Sequence, residues 1–430
     1  MLRLVNITSG DFEQSLYDVA YPETSIDEQV KASVEKIIKD VKTKGNQALF
    51  SYTEKFDNFS IDKNTLKVPV DEIEEAYKSC EKEMFSALNK AYLRVKDYHE
   101  RQIPLDEKYT DKDGITLGWK WGAVQSVALY VPGGKAFYPS SVIMNAVPAI
   151  VAGVNRMVVV TPANNGEVNK LILVAARICG ITEIYKIGGA QAIAAMAYGT
   201  ETIVPVEKIV GPGNSYVAEA KRQVFGKVGI DMVAGPSEIM VIADKNSNPR
   251  WVAADLLSQA EHDENARCIL VCSCEQFAKS VNKELEIAIE KINRREIALK
   301  SIKNNGVCFI VHSLEDSAPL IANIIAPEHL EIITDNPEQI SKKILNAGAI
   351  FLGAYTPEAF GDYIAGPSHV LPTYGTARFS SGLGVYDFLK RTSMIKASED
   401  GFKALAKDII KIANEERLDG HALSVKIRLD

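Results

Sequence analysis

The sequence predicts an α/β protein of two packed domains, each a mostly parallel sheet wrapped by helices, followed by a small helical terminal module. Three observations carry this. From about Gln125 onward, short apolar runs alternate with stretches of helical length, the texture of crossover units that build parallel sheets. The alternation occurs twice, before and after about residue 240, with no polar linker between the two passes. The chain has 430 residues, which at the usual ~150 per domain gives roughly three domains and ample material for a large core.

The first element is a helix opening at a capping box of Ser25 and Glu28. Ile26, Val30, Ile37 and Val41 then recur at helical spacing, and Gly45 supplies a stop. A longer helix is predicted over 71–102, with Ile73, Tyr77, Cys80, Met84, Leu88, Tyr92 and Val95 as its core stripe. The N-terminal third is thus mainly helical. Strands are predicted over 126–131, 157–160, 183–187, 238–243, 268–272, 307–311 and 349–352. Helices are predicted over 168–179, 215–225, 251–259, 276–292 and 337–346. The last ~50 residues read as helical and more polar, which suits a terminal module or a dimerisation arm. The boundaries that follow are 1–25 as an N-terminal arm, 26–125 with 238–380 as a first α/β domain, 126–237 as a second, and 381–430 as the C-terminal arm.

Composition excludes several classes. The chain is 46% hydrophobic and 24% charged, which argues against disorder and fibrous structure. Lys and Arg total 49 against 56 Asp and Glu, a net charge of −7, so there is no general attraction to nucleic acid or acidic membranes, a local basic patch apart. Six Cys in so long a chain are no disulfide framework. Cys268, Cys272 and Cys274 lie along an apolar run and read as buried strand thiols rather than a zinc cluster. The start, Met1-Leu2-Arg3-Leu4-Val5-Asn6, shows no secretory leader, and no window offers the ~20 apolar residues of a membrane span. A soluble, cytoplasmic protein is expected.

Three Gly- and Pro-rich segments follow strands, where open α/β sheets bind ligands. They are Tyr130-Val131-Pro132-Gly133-Gly134-Lys135, Gly188-Gly189-Ala190-Gln191-Ala192 and Gly211-Pro212-Gly213-Asn214-Ser215-Tyr216. None is a full Gly-x-Gly-x-x-Gly; the third has Tyr216 where the last Gly would stand. Any one of them reads equally well as a turn. Three in one domain, each leading into a helix, point to an anion or nucleotide site.

Histidine is scarce, with six in the chain. His99 sits in a charged helical stretch and is expected at the surface; His312 ends a strand and is expected to be structural. Gln259 and His262 are three apart at a helix end, so an amide oxygen and an imidazole can face one metal, although a hydrogen-bonded helix end explains two residues as well. Asp362 and His421, both beside glycines, offer a carboxylate and a second imidazole. Such an N/O set suits zinc, or manganese as the harder alternative. Glu328 and His329 are adjacent after Pro327, so both can face one ligand only in a turn. An imidazole titrating near ~6.5 makes a good proton acceptor, but a surface Glu-His pair is the commoner reading of these two residues alone.

Longer blocks are more specific. The run 230–238, Ile-Asp-Met-Val-Ala-Gly-Pro-Ser-Glu, and the run 255–263, Asp-Leu-Leu-Ser-Gln-Ala-Glu-His-Asp, resemble the signature of the histidinol dehydrogenase family. So do Gly211-Pro212-Gly213-Asn214, Ala326-Pro327-Glu328-His329-Leu330, Gly361-Asp362-Tyr363 and the run from Gly366 to Thr373. The resemblance covers nearly the whole chain, with Tyr374 and Gly384 standing where many members have Gly and Ser.

The resemblance implies two Rossmann-like (incomplete, doubly wound) domains, a helical N-terminal region and a small C-terminal dimerisation arm. It implies the last steps of histidine biosynthesis: L-histidinol to L-histidinal to L-histidine, with two NAD+ reduced at one active site. By motif, Gln259, His262, Asp362 and His421 are similar to the ligands of one zinc per subunit, and Glu328 and His329 to the acid/base pair. Ser237, His329, Asp362 and Glu416, with the ligand residues, would contact substrate; Tyr130, Gln191 and Asn214 would contact NAD. The family is a homodimer, and Glu416 and His421 would complete the partner's site. In such a site His329 would accept the hydroxyl proton, Glu328 would activate the water that adds to the aldehyde, and zinc would orient substrate. Rival readings are a zinc hydrolase or deaminase, which leaves the glycine loops unexplained, and a non-catalytic nucleotide-binding protein, which the four intact ligand positions oppose.

Overall fold

Two parallel sheets carry the molecule, and a computed structural model describing residues 1–21, 28–133, 138–163 and 165–430 gives their order. In chain order the strands are β1 (Arg3–Asn6), β2 (Glu107–Thr110), β3 (Ile115–Ala123), β4 (Ser126–Tyr130), β5 (Arg156–Val160), β6 (Ile184–Tyr185) and β7 (Lys208–Val210). There follow β8 (Gly229–Ile230), β9 (Glu238–Ala243), β10 (Arg267–Cys272), β11 (Gly306–Ile310), β12 (His329–Ile333), β13 (Ala349–Leu352) and β14 (Leu389–Ala397). One sheet runs β6-β5-β4-β7-β8 and the other β1-β11-β10-β9-β12-β13, with parallel pairing throughout both.

Leaving β1 aside, the two sheets share one topology. The first strand of each unit, β4 or β9, lies at the centre, the next two extend to one side, and the last two to the other. This is the Rossmann order lacking its sixth strand, and it places a switch point between β4 and β7 and another between β9 and β12. Apolar residues on successive positions feed opposite layers, because side chains alternate along a strand. Val127 and Leu129 face one core cluster while Ala128 and Tyr130 face another. In β9, Ile239 and Val241 are separated from Met240 and Ile242 in the same way. Both faces of both sheets are therefore buried, which is why these strands read as unbroken apolar runs.

Several expectations need correction. Arg3–Asn6 is no arm: it pairs in parallel with β11 and extends the six-stranded sheet. The helices of the N-terminal third pack on the five-stranded sheet's unit, not with 238–380. Glu28–Lys44 lies against the helices Gly189–Tyr198 and Ser215–Val224, Val70–Lys78 against Lys170–Ile178, and Lys82–Glu100 against Pro139–Ala152. The single helix expected over 71–102 is two, broken at Ser79–Glu81, where Glu81 is extended at φ −58 and ψ 134. The break lets each half find its own partner and leaves Met84 exposed. His99 is fully buried rather than superficial, on the face that carries Ala91 and Val95, with Nδ1 2.7 Å from the Val95 carbonyl oxygen.

The C-terminal region is not all helical. β14 pairs antiparallel with β3 along nine residues and builds a third sheet, β14-β3-β2, before the helices Glu399–Glu415 and Asp419–Lys426. The helix expected over 337–346 ends at Ser341. Ser25 of the expected capping box and Ile26 of the apolar stripe lie outside the described residues, as do Gly134 and Lys135 of the first glycine loop. Among the described residues, no helix is long and apolar enough to cross a membrane.

Candidate active site

The Glu328–His329 pair opens β12. The preceding helix Leu314–Ile325 stops at Ala326, which takes the left-handed conformation at φ 52 and turns the chain into Pro327. Parallel pairing then sets His329 opposite Ile239, one residue past Glu238. The Glu238 backbone holds both side chains: its N–H donates to Glu328 Oε2 at 2.8 Å, and its carbonyl oxygen lies 3.0 Å from His329 Nδ1. A carbonyl can only accept, so Nδ1 carries the hydrogen and Nε2 is the nitrogen left for chemistry. Nε2 is buried and has no hydrogen-bond partner; the nearest charge is Asp362 Oδ1 at 3.6 Å. Glu328 and His329, neighbours in sequence, thus converge with 3.7 Å between carboxylate and imidazole.

The electrostatics of the pair are dominated by burial and by acids. Burial pushes the Glu328 carboxyl up to about 8. For His329 burial works against the charged form, but the Glu328, Asp362 and Glu358 carboxylates around it outweigh that and lift it to about 10. Asp362 is held well below the usual carboxylate range: burial would raise it, and the His329 imidazole 3.6 Å away, with that of His369, reverses that.

Asp362 lies on the short helix Glu358–Tyr363. Donor atoms of His329, Glu358 and Asp362 all fall within 4.8 Å of one another. Gln259 and His262 approach from the C-terminal end of the helix Pro249–Ala260. The Gln259 side chain is buried and its Oε1 has no partner, and His262 interacts electrostatically with Asp362. An orphaned amide oxygen beside an imidazole and an ionised carboxylate is a donor set that fits a divalent cation. Glu358 is the residue sequence reasoning missed. It is buried, accepts from Ser258 Oγ at 2.6 Å, and stands four before Asp362, a helical spacing that was available as a signal. His369 is also fixed here, Nδ1 3.0 Å from the Asp362 carbonyl oxygen and Nε2 3.3 Å from Ser141 Oγ. Ser237 is half-buried next to Glu238, its carbonyl accepting from the Arg267 N–H at 3.0 Å. Glu416 and His421 are exposed on the C-terminal helices and are not part of this cluster within the single chain.

The residues expected to meet NAD gather at the carboxyl edge of the five-stranded sheet. Tyr130 ends β4, buried, its hydroxyl oxygen accepting from the Gly189 N–H at 3.1 Å. Gln191 sits in the first turn of the helix Gly189–Tyr198, and its buried Nε2 has no partner. Asn214 caps the helix Ser215–Val224, its side-chain oxygen accepting from the Tyr216 and Val217 N–H groups at 3.1 Å each. A Cβ at Gly188 would crowd Pro162 at 2.7 Å, and one at Gly211 would strike the Tyr130 carbonyl. An orphaned donor over a backbone this bare fits a dinucleotide. The two regions are stitched together by Ser141 to His369 and by Ser368 Oγ donating to the Met144 carbonyl at 3.1 Å.

A family model described as histidinol dehydrogenase matches residues 21–429. The curated protein of that name from Bradyrhizobium diazoefficiens is 50% identical over 423 residues, 98% of each chain. The one from Rhodopseudomonas palustris is 51% identical over 429 residues, covering 100% of this chain and 99% of the relative. The crystal structure of histidinol dehydrogenase from Elizabethkingia anophelis matches with a TM-score of 0.93 at 34% identity, covering 100% of this chain and 98% of that one.

Proposed function

The chain belongs to the histidinol dehydrogenase family, and from that premise we propose that it oxidises L-histidinol through L-histidinal to L-histidine, with Glu328 and His329 as acid/base pair and NAD+ as hydride acceptor in both steps. The observation that carries the assignment of roles is the Glu238 backbone, which points His329 Nε2 and the Glu328 carboxylate into one acidic pocket.

In the first oxidation the substrate hydroxyl loses its proton to His329 Nε2 while the carbinol hydride leaves for NAD+. The resulting aldehyde has no hydride to give until water adds to its carbonyl. Glu328 takes a proton from that water while the protonated His329 returns its proton to the carbonyl oxygen, and the hydrate formed then loses its hydride to a second NAD+ and a hydroxyl proton to the freed His329. Gln259, His262 and Asp362 would hold zinc together with the partner subunit's His421; the ion would orient the substrate and, as a nearby positive charge, favour proton release from Glu328 and His329. Ser237 and the partner subunit's Glu416 would complete the substrate contacts. Tyr130, Gln191 and Asn214 would line the dinucleotide site, with 126–237 as the NAD-binding unit. The exposed helices after β14 suit an arm that reaches a second subunit.

The test is the amount of NADH formed per limiting histidinol, with and without a chelator. Two equivalents, abolished by the chelator and restored by zinc, are expected. One equivalent means that the aldehyde escapes and the role of Glu328 is wrong. None, with saturating NAD+, leaves a metal-dependent hydrolase as the better reading.

A further inference from the structure

A charged pair lies sealed beneath the third glycine loop. Lys221, on the helix Ser215–Val224, is only 2% exposed and is surrounded by Val217, Ala220 and Val224 of the core. It pairs with Asp231, whose side chain is 1% exposed. Between them they hold both backbone polar groups of one residue: Lys221 Nζ donates to the Gly211 carbonyl at 3.0 Å, and the Gly211 N–H donates to Asp231 Oδ2 at 2.8 Å. The other Asp231 oxygen accepts from the Met232 N–H at 2.7 Å.

Stability does not explain this arrangement. Removing two charges from water costs about what their attraction returns, and apolar residues of similar volume usually serve as well or better. What the pair provides is position. Gly211 has φ +112 and lies against the Tyr130 carbonyl so closely that a Cβ would collide with it. Asn214 caps the same helix two turns before Lys221. Asp231 stands where β8 gives way to the segment 232–237, which leads to Ser237 and then to Glu238 at the head of β9.

We infer that the Lys221–Asp231 ion pair is the positioning element of the dinucleotide site: it fixes the Gly211 loop against Tyr130 and ties that loop to β9, whose Glu238 backbone holds Glu328 and His329. The inference rests on the reading of the Gly211 loop as an NAD site. Neither residue touches the reacting atoms; both act through Gly211.

The test uses the full chain loaded with zinc. Lys221→Met combined with Asp231→Asn removes both charges at similar volume, and Asp231→Asn alone is the second variant should the first not fold. NADH affinity is read by fluorescence titration, alongside KM for each substrate and the melting temperature. The expected result is a rise of at least about tenfold in NADH Kd and in KM for NAD+, with KM for histidinol within about twofold and the double variant melting no lower than the parent. NADH binding within about twofold of the parent overturns the inference, as does a loss shared equally by both substrates. Gln191→Leu separates the two levels. If it leaves NADH binding unchanged, the NAD reading fails and the inference falls with it. If it weakens binding while the Lys221 and Asp231 variants do not, only the inference fails.

Discussion

The two sheets have the same strand order and are used at opposite ends. In the five-stranded sheet the candidate ligand groups stand at the carboxyl edge: Tyr130 at the end of β4, and the loops that open the helices Gly189–Tyr198 and Ser215–Val224. In the six-stranded sheet they stand at the amino edge: Glu328 and His329 at the head of β12, and Gln259 and His262 at the tail of the helix Pro249–Ala260. The carboxyl edge of that sheet, with its own switch point between β9 and β12, is filled by the chain itself. There the Asp244 N–H and Ser247 Oγ donate to the Ile333 carbonyl, and Asp244 Oδ2 accepts from the Asp335 N–H.

The reason is electrostatic. A parallel α/β layer presents helix N-termini at one edge and helix C-termini at the other. The first favours a pyrophosphate, the second a cation. One architecture can therefore supply both kinds of site, and the Ser141–His369 contact joins the carboxyl-edge side of the five-stranded sheet to the cluster around Asp362.

The comparison breaks first at the amino edge. His329→Asn should lower kcat by about 10²–10⁴ in both oxidations, assayed separately with histidinol and histidinal. A loss below about tenfold would move the chemistry away from β12. Glu328→Gln should cost about 10²-fold with histidinal and distinctly less with histidinol. Equal losses would mean that Glu328 does not act on the water. Gln259→Leu should weaken zinc binding by about 10–100-fold, read by competition with a chromogenic chelator, while NADH binding at the far edge stays as it was.

The smallest effect sharpens the other side. Asp57 ends the helix Asn46–Asp57 next to Tyr130, and burial raises its carboxyl from 3.8 to about 6. A raised carboxyl adds stability fully below about 3.8, and that contribution is lost as pH rises through about 6. Asp57→Asn should therefore leave the melting temperature unchanged at pH 4 and raise it by about 1–2 °C at pH 8. A gain of the same size at both pH values would show that the cause is packing rather than charge.

The sheets were legible in the sequence because doubly buried strands are continuous apolar runs. β9 and β13 fall where those runs predict them, and β10 and β11 within a residue. β12 was hidden by its own chemistry. Glu328, His329 and Glu331 are all buried, yet in sequence they look like a polar turn. β14 was hidden for the opposite reason: its residues are almost all exposed, and only pairing with β3 makes them a strand. His99 misled because charged neighbours on the helix say nothing about the one face that meets another helix. At the site, the loops, Gln259, His262, Asp362 and the Glu-His pair were visible as motifs. Glu358 was not singled out, because its one signal, the four-residue spacing to Asp362, is common on helices and gains meaning only when folding carries it within 4.8 Å of His329 and Asp362. The Lys221–Asp231 pair was equally invisible, since ten residues and a strand separate its members.

Glu328 and His329 are both gauged against the backbone N–H and carbonyl of a single residue, Glu238, of a neighbouring strand. Sliding or tilting of the sheet as a rigid body leaves their alignment untouched, so ordinary breathing of the two domains does not detune the acid and base. Parting β9 from β12 at Glu238 removes the N–H that holds Glu328 and the carbonyl that holds His329. Because β9 is paired on both sides, by β10 and β12, heat should switch turnover off only as this interior seam is lost with global unfolding, so inactivation and melting should coincide.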